Sequence, residues 1–385
     1  MAQQGKRIQV VIVILLFIIY FFSAARPISR EIILAPRWIC SLESGVPVFL
    51  NTQNNTNADI PDSSRGFFPF TLGNRFGYVD SKGQFAINQV KNGNIYLSEN
   101  MWTEYSAEPS KIEIMDISAN IVLNIEDPRG YPVLLDDRVF IVNSEQNALS
   151  AIGKDGSVLW TYEFGAPLTC IDAAAGYVLT GSIDGIIEIL DSEGTRVFYF
   201  EPGGSRYSVI LGCAISRNGS RLGIISGIDQ QRFLMIERYG SSAGEYKVVY
   251  HEFLDTGFRR PVHISFIDQD RRIVYERFGG IGCYNIKARK GIRIPVDGDI
   301  AAIETSGDDG LFFLINSVLT GQKELLGVRF PQENWLSFFD SKRNMRDNIF
   351  LKAAFKSDDV FLGRYGSKII TGGGSILISF DLEEK

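Results

Sequence analysis

Imidazole, thiol and carboxylate groups supply most protein-based catalysis and metal binding, so their spacing decides what chemistry this 385-residue chain can carry. Histidine, the side chain that titrates nearest neutrality, occurs twice: His251 in Val248-Val-Tyr-His-Glu-Phe253 and His263 in Pro261-Val-His-Ile-Ser-Phe266. Both sit in strand-like apolar contexts without a partner at ligand spacing, and structural or surface roles are expected for them. Cys40, Cys170, Cys213 and Cys283 are too far apart for a metal knuckle or redox pair. They read as small buried hydrophobes, with a disulfide left open. Asp80, Asp155, Asp184, Asp191, Asp308 and Asp309 offer oxygen ligands of the kind calcium takes. They fall where Asp-Gly and Asp-x-x-Gly spacings make tight turns, which accounts for them without a metal. No glycine loop opening a helix to hold phosphate is evident. The glycine run Thr371-Gly-Gly-Gly-Ser375 lies between strands, where no helix terminus can hold phosphate. The residues therefore assign no catalytic group, no metal ligand and no cofactor, and leave cofactor-binding residues unknown.

The elements that carry these residues repeat. Phe76 to Ile87, Ile112 to Leu123, Leu149 to Trp160 and Ile187 to Phe198 each read as an apolar strand, a polar turn and a second apolar strand. Their turn residues Gly83, Asn120, Gly156 and Gly194 are 37, 36 and 38 positions apart. A fixed period of this size marks a repeat architecture. The clearest unit, residues 168–200, holds four short strands, as a propeller blade requires. Later units are longer, with turns near Gly244, Gly291 and Gly321. Lys368 to Leu382 resembles Tyr177 to Asp191 but ends where its outer strand should begin. Ile32 to Ala35 or Val46 to Leu50 is placed to supply that strand and seal the ring. The spacing predicts an all-β propeller of eight four-stranded blades, with seven as the alternative. Gln332 to Arg346, with Trp335, Leu336, Phe338 and Phe339 ahead of a basic cluster, is the one stretch that reads as helix or inserted loop. As an insertion it is also a candidate partner-binding element.

Residues 1–25 read as a membrane-directed segment: Lys6 and Arg7 precede an unbroken apolar run from Val10 to Phe22. An uncleaved single-pass anchor is expected, the alternative being a signal peptide cleaved after Ser23-Ala-Ala25; both carry the body across the membrane. Residues 26–65 read as a linker with the ring-closing strand, and residues 66–385 as the repeat domain. The net charge is −6, and no basic run interleaves with aromatics, which argues against nucleic acid.

Ala148-Leu-Ser-Ala-Ile-Gly-Lys-Asp-Gly-Ser-Val-Leu-Trp160 resembles the quinoprotein-type (PQQ-like) propeller repeat, whose blades end in Ala-Leu-x-x-x-x-Gly-x-x-Leu-Trp. Ser182-Ile-Asp-Gly185 is similar to the turn before the third strand in that family and in WD-repeat propellers. Only this one blade carries a good match; Phe198 stands in the tryptophan's place in the next. The family divides into quinone-cofactor dehydrogenases and non-catalytic scaffolds, among them the envelope lipoprotein that helps assemble outer-membrane barrels. Its dehydrogenases use a calcium-coordinating carboxylate and often a vicinal cysteine pair, which is missing here. The resemblance implies a non-enzymatic, membrane-tethered scaffold that binds protein partners in the bacterial envelope, on the periplasmic or extracytoplasmic side. The alternative is a quinone-dependent dehydrogenase or small-ligand sensor acting in the central channel.

Overall fold

A computed structural model describes residues 13–17, 19–20, 32–50, 66–240, 244–255, 257–319, 332–342, 353–355, 357 and 359–384. Among them the strands form eight sheets, six of four strands, one of five and one of three. Within each repeat, neighbouring strands pair antiparallel in sequence order. The blades are numbered here from the first complete hairpin: blade 1 begins at Phe67 and blade 8 at Val360. Blade 4 shows the plan, with strands Leu168–Ala174, Tyr177–Ser182, Ile187–Leu190 and Arg196–Phe200 running from the channel outward. Its third strand is buried on both faces because a blade lies on each side of it. The predicted eightfold ring is the observed one.

Eight apolar clusters hold the ring, and each joins one blade to the next. Leu179, Ile187 and Ile189 of blade 4 pack on Ile210, Ile224 and Leu234 of blade 5. Trp38 and Cys40 of blade 8 pack on Phe68 and Phe70 of blade 1, so the last contact closes the circle. Burying a large apolar side chain contributes about 1.5–3 kcal/mol, and no single blade can bury both of its faces alone.

Closure uses the N-terminal part of the chain. Ile32–Ser41 lies antiparallel along Ile376–Glu384, from Ile32 opposite Glu384 to Ser41 opposite Ile376. Arg37 fixes the register by pairing with Asp381 at 2.7 Å and with Glu383. Of the two segments placed to close the ring, the first does so. The second, Pro47–Phe49, adds a fifth strand outside it. Blade 1 has three strands among the described residues. Its Gly73 turn approaches Gly374, and Gly66 meets Tyr365, so Phe67–Leu72 runs as a second strand; the innermost place is not filled among the described residues.

The 37-residue recurrence has a packing cause. In six blades the outer hairpin carries a bulge at the same point, beside Trp38, Ile87, Leu123, Trp160, Phe198 and Tyr250. The bulge re-aims the side chain towards the next blade. Trp160 lies on the turn at Gly194 and Trp38 on the turn at Gly83. These glycines have φ of +77° and +80° and leave no room for a Cβ, which at Gly194 would lie 2.6 Å from the Trp160 ring. Each is thus required by its conformation and by its neighbour.

Two expectations change. Gln332–Asp340 is a strand, not a helix or inserted loop: it pairs along Leu311–Leu319 and buries Leu336, Phe338 and Phe339. A third strand with a blade on either side is apolar on both faces, and so loses the alternation that marks a strand in sequence. Leu336, Phe338 and Phe339 are core and closed to a partner, while Trp335 is half-buried. Residues 343–346, the rest of that stretch, lie outside the described residues, as does Gly321. Of the segment expected to anchor the chain, residues 13–17 and 19–20 are described, and they are helical. No helix among the described residues is long and apolar enough to cross a membrane.

Candidate functional site

Two places on the ring gather groups that can act on other molecules: the mouth of the central channel and the outer rim of blade 8. The inner strands position the first. Asp172, on the inner strand of blade 4, accepts the Ile215 N–H of blade 5 at 2.8 Å and its neighbour Ala173 N–H at 2.9 Å. Burial outweighs these bonds and pushes its carboxyl up to about 6. His263 leads into the inner strand of blade 6, where burial lowers its pKa; its Nε2 is 3.5 Å from Thr305 Oγ1. These two residues line a cavity of about 490 Å³ together with Asp136, Arg217, Ser265 and Asp270. Ser265 Oγ donates to the Phe266 carbonyl at 3.2 Å.

Ion pairs across blades lace this mouth. Arg217 of blade 5 reaches Asp308 of blade 7, and its N–H donates to Asp270 of blade 6 at 2.9 Å. The Arg217 hydrogen bond holds Asp308 below the usual carboxylate range. Arg364 of blade 8, its side chain almost wholly buried, donates to Asp309 at 2.9 Å. A second cavity of about 880 Å³ opens between blades 7, 8, 1 and 2, lined by Phe67, Glu99, Glu304, Asp308, Phe361 and Arg364. Asp172, Asp270, Asp308 and Asp309 are bound to cations or backbone donors of neighbouring blades, an arrangement that ties blades together.

The other acidic residues singled out in the sequence make turns. Asp80 accepts the N–H groups of Lys82 and Gln84, both at 2.8 Å, and Asp191 those of Glu193 and Thr195. Asp155 accepts from Ser157, and Asp184 from the Ser182 hydroxyl. No group of three His, Cys, Asp or Glu side chains that could hold a metal converges among the described residues. His251 is exposed on the outer strand of blade 5, edge-on to Phe253. Cys40, Cys213 and Cys283 are buried, Cys170 is half-buried, and all four are free thiols. Asp172, Arg217 and Arg364 were not singled out in the sequence. Asp172 alone carried a signal, a carboxylate inside an apolar strand without the Asp-Gly or Asp-x-x-Gly spacing of the turns.

The rim site is apolar. Val46, Val48, Phe49 and Leu50 are each between 47 and 63% exposed. Apart from the helical residues 13–17 and 19–20, the other exposed large apolar residues among those described stand singly or in pairs, which is ordinary for a surface. Four within five positions, on and beside the outermost strand of a sheet, are not.

A family model described as a beta-propeller protein matches residues 1–385. The chain belongs to that beta-propeller family. This propeller is 25% identical over 290 residues to an uncharacterized protein of Treponema pallidum (strain Nichols), spanning 75% of each chain. Among solved structures it is similar to the computationally designed Ika8 protein, with a TM-score of 0.52 and 10% identity over 83% of this chain and 96% of that one. It is also similar to BamB from Moraxella catarrhalis, with a TM-score of 0.49 and 10% identity over 91% of this chain and 100% of that one. At these identities the likeness concerns fold.

Proposed function

We propose that this propeller is a non-enzymatic scaffold, tethered to a membrane by its N-terminal segment, that binds protein partners on the extracytoplasmic side. The carrying observation is the rim strip Val46, Val48, Phe49 and Leu50 on the five-stranded blade. A run of exposed apolar side chains on both faces of an edge strand costs free energy in water and marks an interaction site. Pro47 within the same strand removes one backbone donor from its outer edge, which discourages strand-to-strand pairing. The strip therefore suits an apolar partner surface better than an added strand. The tether is supported by the described helical residues of the N-terminal segment, all apolar and all more than half exposed; a bilayer would cover them. The Trp160 docking on Gly194 supports the likeness to quinoprotein-type repeats, used here for architecture.

Site-specific photo-crosslinking of the full chain in its native membrane tests this reading. A photoreactive residue at Phe49 is expected to give a protein adduct that the same residue at exposed Tyr239 does not, and Val48→Asp should abolish it. Equal adducts at both positions, or none at Phe49, would sink the proposal.

A further inference from the structure

The face of the ring that carries the first-to-second and third-to-fourth turns holds a cleft unrelated to the rim strip. It lies between blades 5 and 6, with blade 7 at its edge, and has a volume of about 1010 Å³. Six cations line it: Arg221, Arg271, Arg272, Lys287, Arg289 and Lys342. Three carboxylates, Glu237, Asp268 and Asp270, oppose them. The chain as a whole carries −6, so a cleft with twice as many cations as carboxylates runs against its bulk charge.

The carboxylates do not neutralise the cleft. Asp268, only 1% exposed, is shared by three cations: Arg271 at 2.7 Å, Lys342 at 3.6 Å and Arg272. Arg271 is held twice, since its Nε also donates to the Asp268 carbonyl at 2.9 Å. Glu237 takes Arg221 at 3.2 Å, and the Asp270 carboxylate accepts the Arg217 N–H. Lys287 and Arg289, on the exposed third-to-fourth turn of blade 6, make no ion pair among the described residues. Two cations are thus unmatched over a floor of guanidinium groups already oriented by a buried anion. Oriented guanidinium forks beside lysines match the geometry and charge of phosphate oxygens.

We propose that this cleft binds a phosphate-class oxyanion, with Lys287 and Arg289 as its capturing groups and Arg271 and Arg272 as the fixed floor. The anion can be a free phosphate or the phosphate of a lipid headgroup. The proposal is independent of the rim strip and of any protein partner.

Titration calorimetry on the full chain in non-ionic detergent tests it with three probes: inorganic phosphate, pyrophosphate and glycerol 3-phosphate. Saturable binding that weakens with added salt is expected. The double variant Lys287→Ala/Arg289→Ala should lose about tenfold or more in affinity, with an unchanged melting temperature because both side chains are exposed. Lys154→Ala, on the equivalent exposed turn of blade 3, should bind as the parent does. Tighter binding of glycerol 3-phosphate than of inorganic phosphate would identify a headgroup as the source, and equal or weaker binding a free anion. No saturable heat from any probe at roughly millimolar concentration, or affinity unchanged in the double variant, would overturn the proposal.

Discussion

The Trp160 indole donates to the Ser192 carbonyl at 2.8 Å and lies on Gly194, the turn glycine of the following blade. One residue of blade 3 thus depends on the absence of a side chain in blade 4. Gly194→Ala meets two obstacles, a Cβ 2.6 Å from the ring and a φ of +77°. Left-handed strain and overpacking each cost about 1–3 kcal/mol. A loss of about 2–4 kcal/mol is expected in urea unfolding, and Trp160→Ala should lose the same contact from the other side. Their double variant should then lose less than the sum of the two. Additive losses would show that the two residues do not act as one unit.

Ring closure makes a second prediction. Trp38 is 1% exposed and belongs to the cluster that joins blade 8 to blade 1. Trp38→Ala should cost about 3–5 kcal/mol. Closure failure also has a local signature: amide exchange should rise along Ile376–Glu384, the strand that pairs with Ile32–Ser41. Faster exchange spread evenly over all blades would contradict a local seal.

How far the fold could be read from sequence follows from the range of each interaction. The Asp80 and Asp191 turns are closed by bonds within four residues, so they recur visibly along the chain. The closing strand was legible because the last repeat stops one strand short. The strand Gln332–Asp340 was not, since burial on both faces gave it Trp335, Leu336, Phe338 and Phe339 at spacings that also fit a helix. The channel mouth was least legible. Arg217 and Asp308 are 91 positions apart, and only the circular arrangement of blades brings them together.

Asp172 makes stability depend on pH. Its carboxyl rises from 3.8 to about 6 in the folded protein because burial penalises the charge. A folded pKa above the unfolded one means that the native state holds the proton more tightly. The stabilisation from this group is complete below pH 3.8 and is lost as pH rises through about 6. Asp172→Asn cannot ionise, so relative to it the parent should lose about 1–3 kcal/mol between pH 4 and pH 7. Unfolding free energies of both proteins across that window give the answer. A constant difference would mean that Asp172 titrates at its ordinary pKa.

The thiols test burial independently. Burial pushes the Cys283 thiol up to about 12 and raises Cys40. Cys213 is raised as well, first by its contact with the Cys170 thiol across the boundary between blades 4 and 5 and then by burial. The thiolate is the reactive species, so at pH 8 these three groups are almost wholly protonated and also shielded. A disulfide-exchange reagent should therefore leave Cys40, Cys213 and Cys283 unmodified in the folded protein and modify them on unfolding in guanidinium. Their rates should follow unfolding rather than reagent concentration, because opening of a blade must precede attack. Rapid modification of Cys283 in native buffer would show that the contact between blades 6 and 7, where it is packed against Phe312 and Phe339, opens without global unfolding.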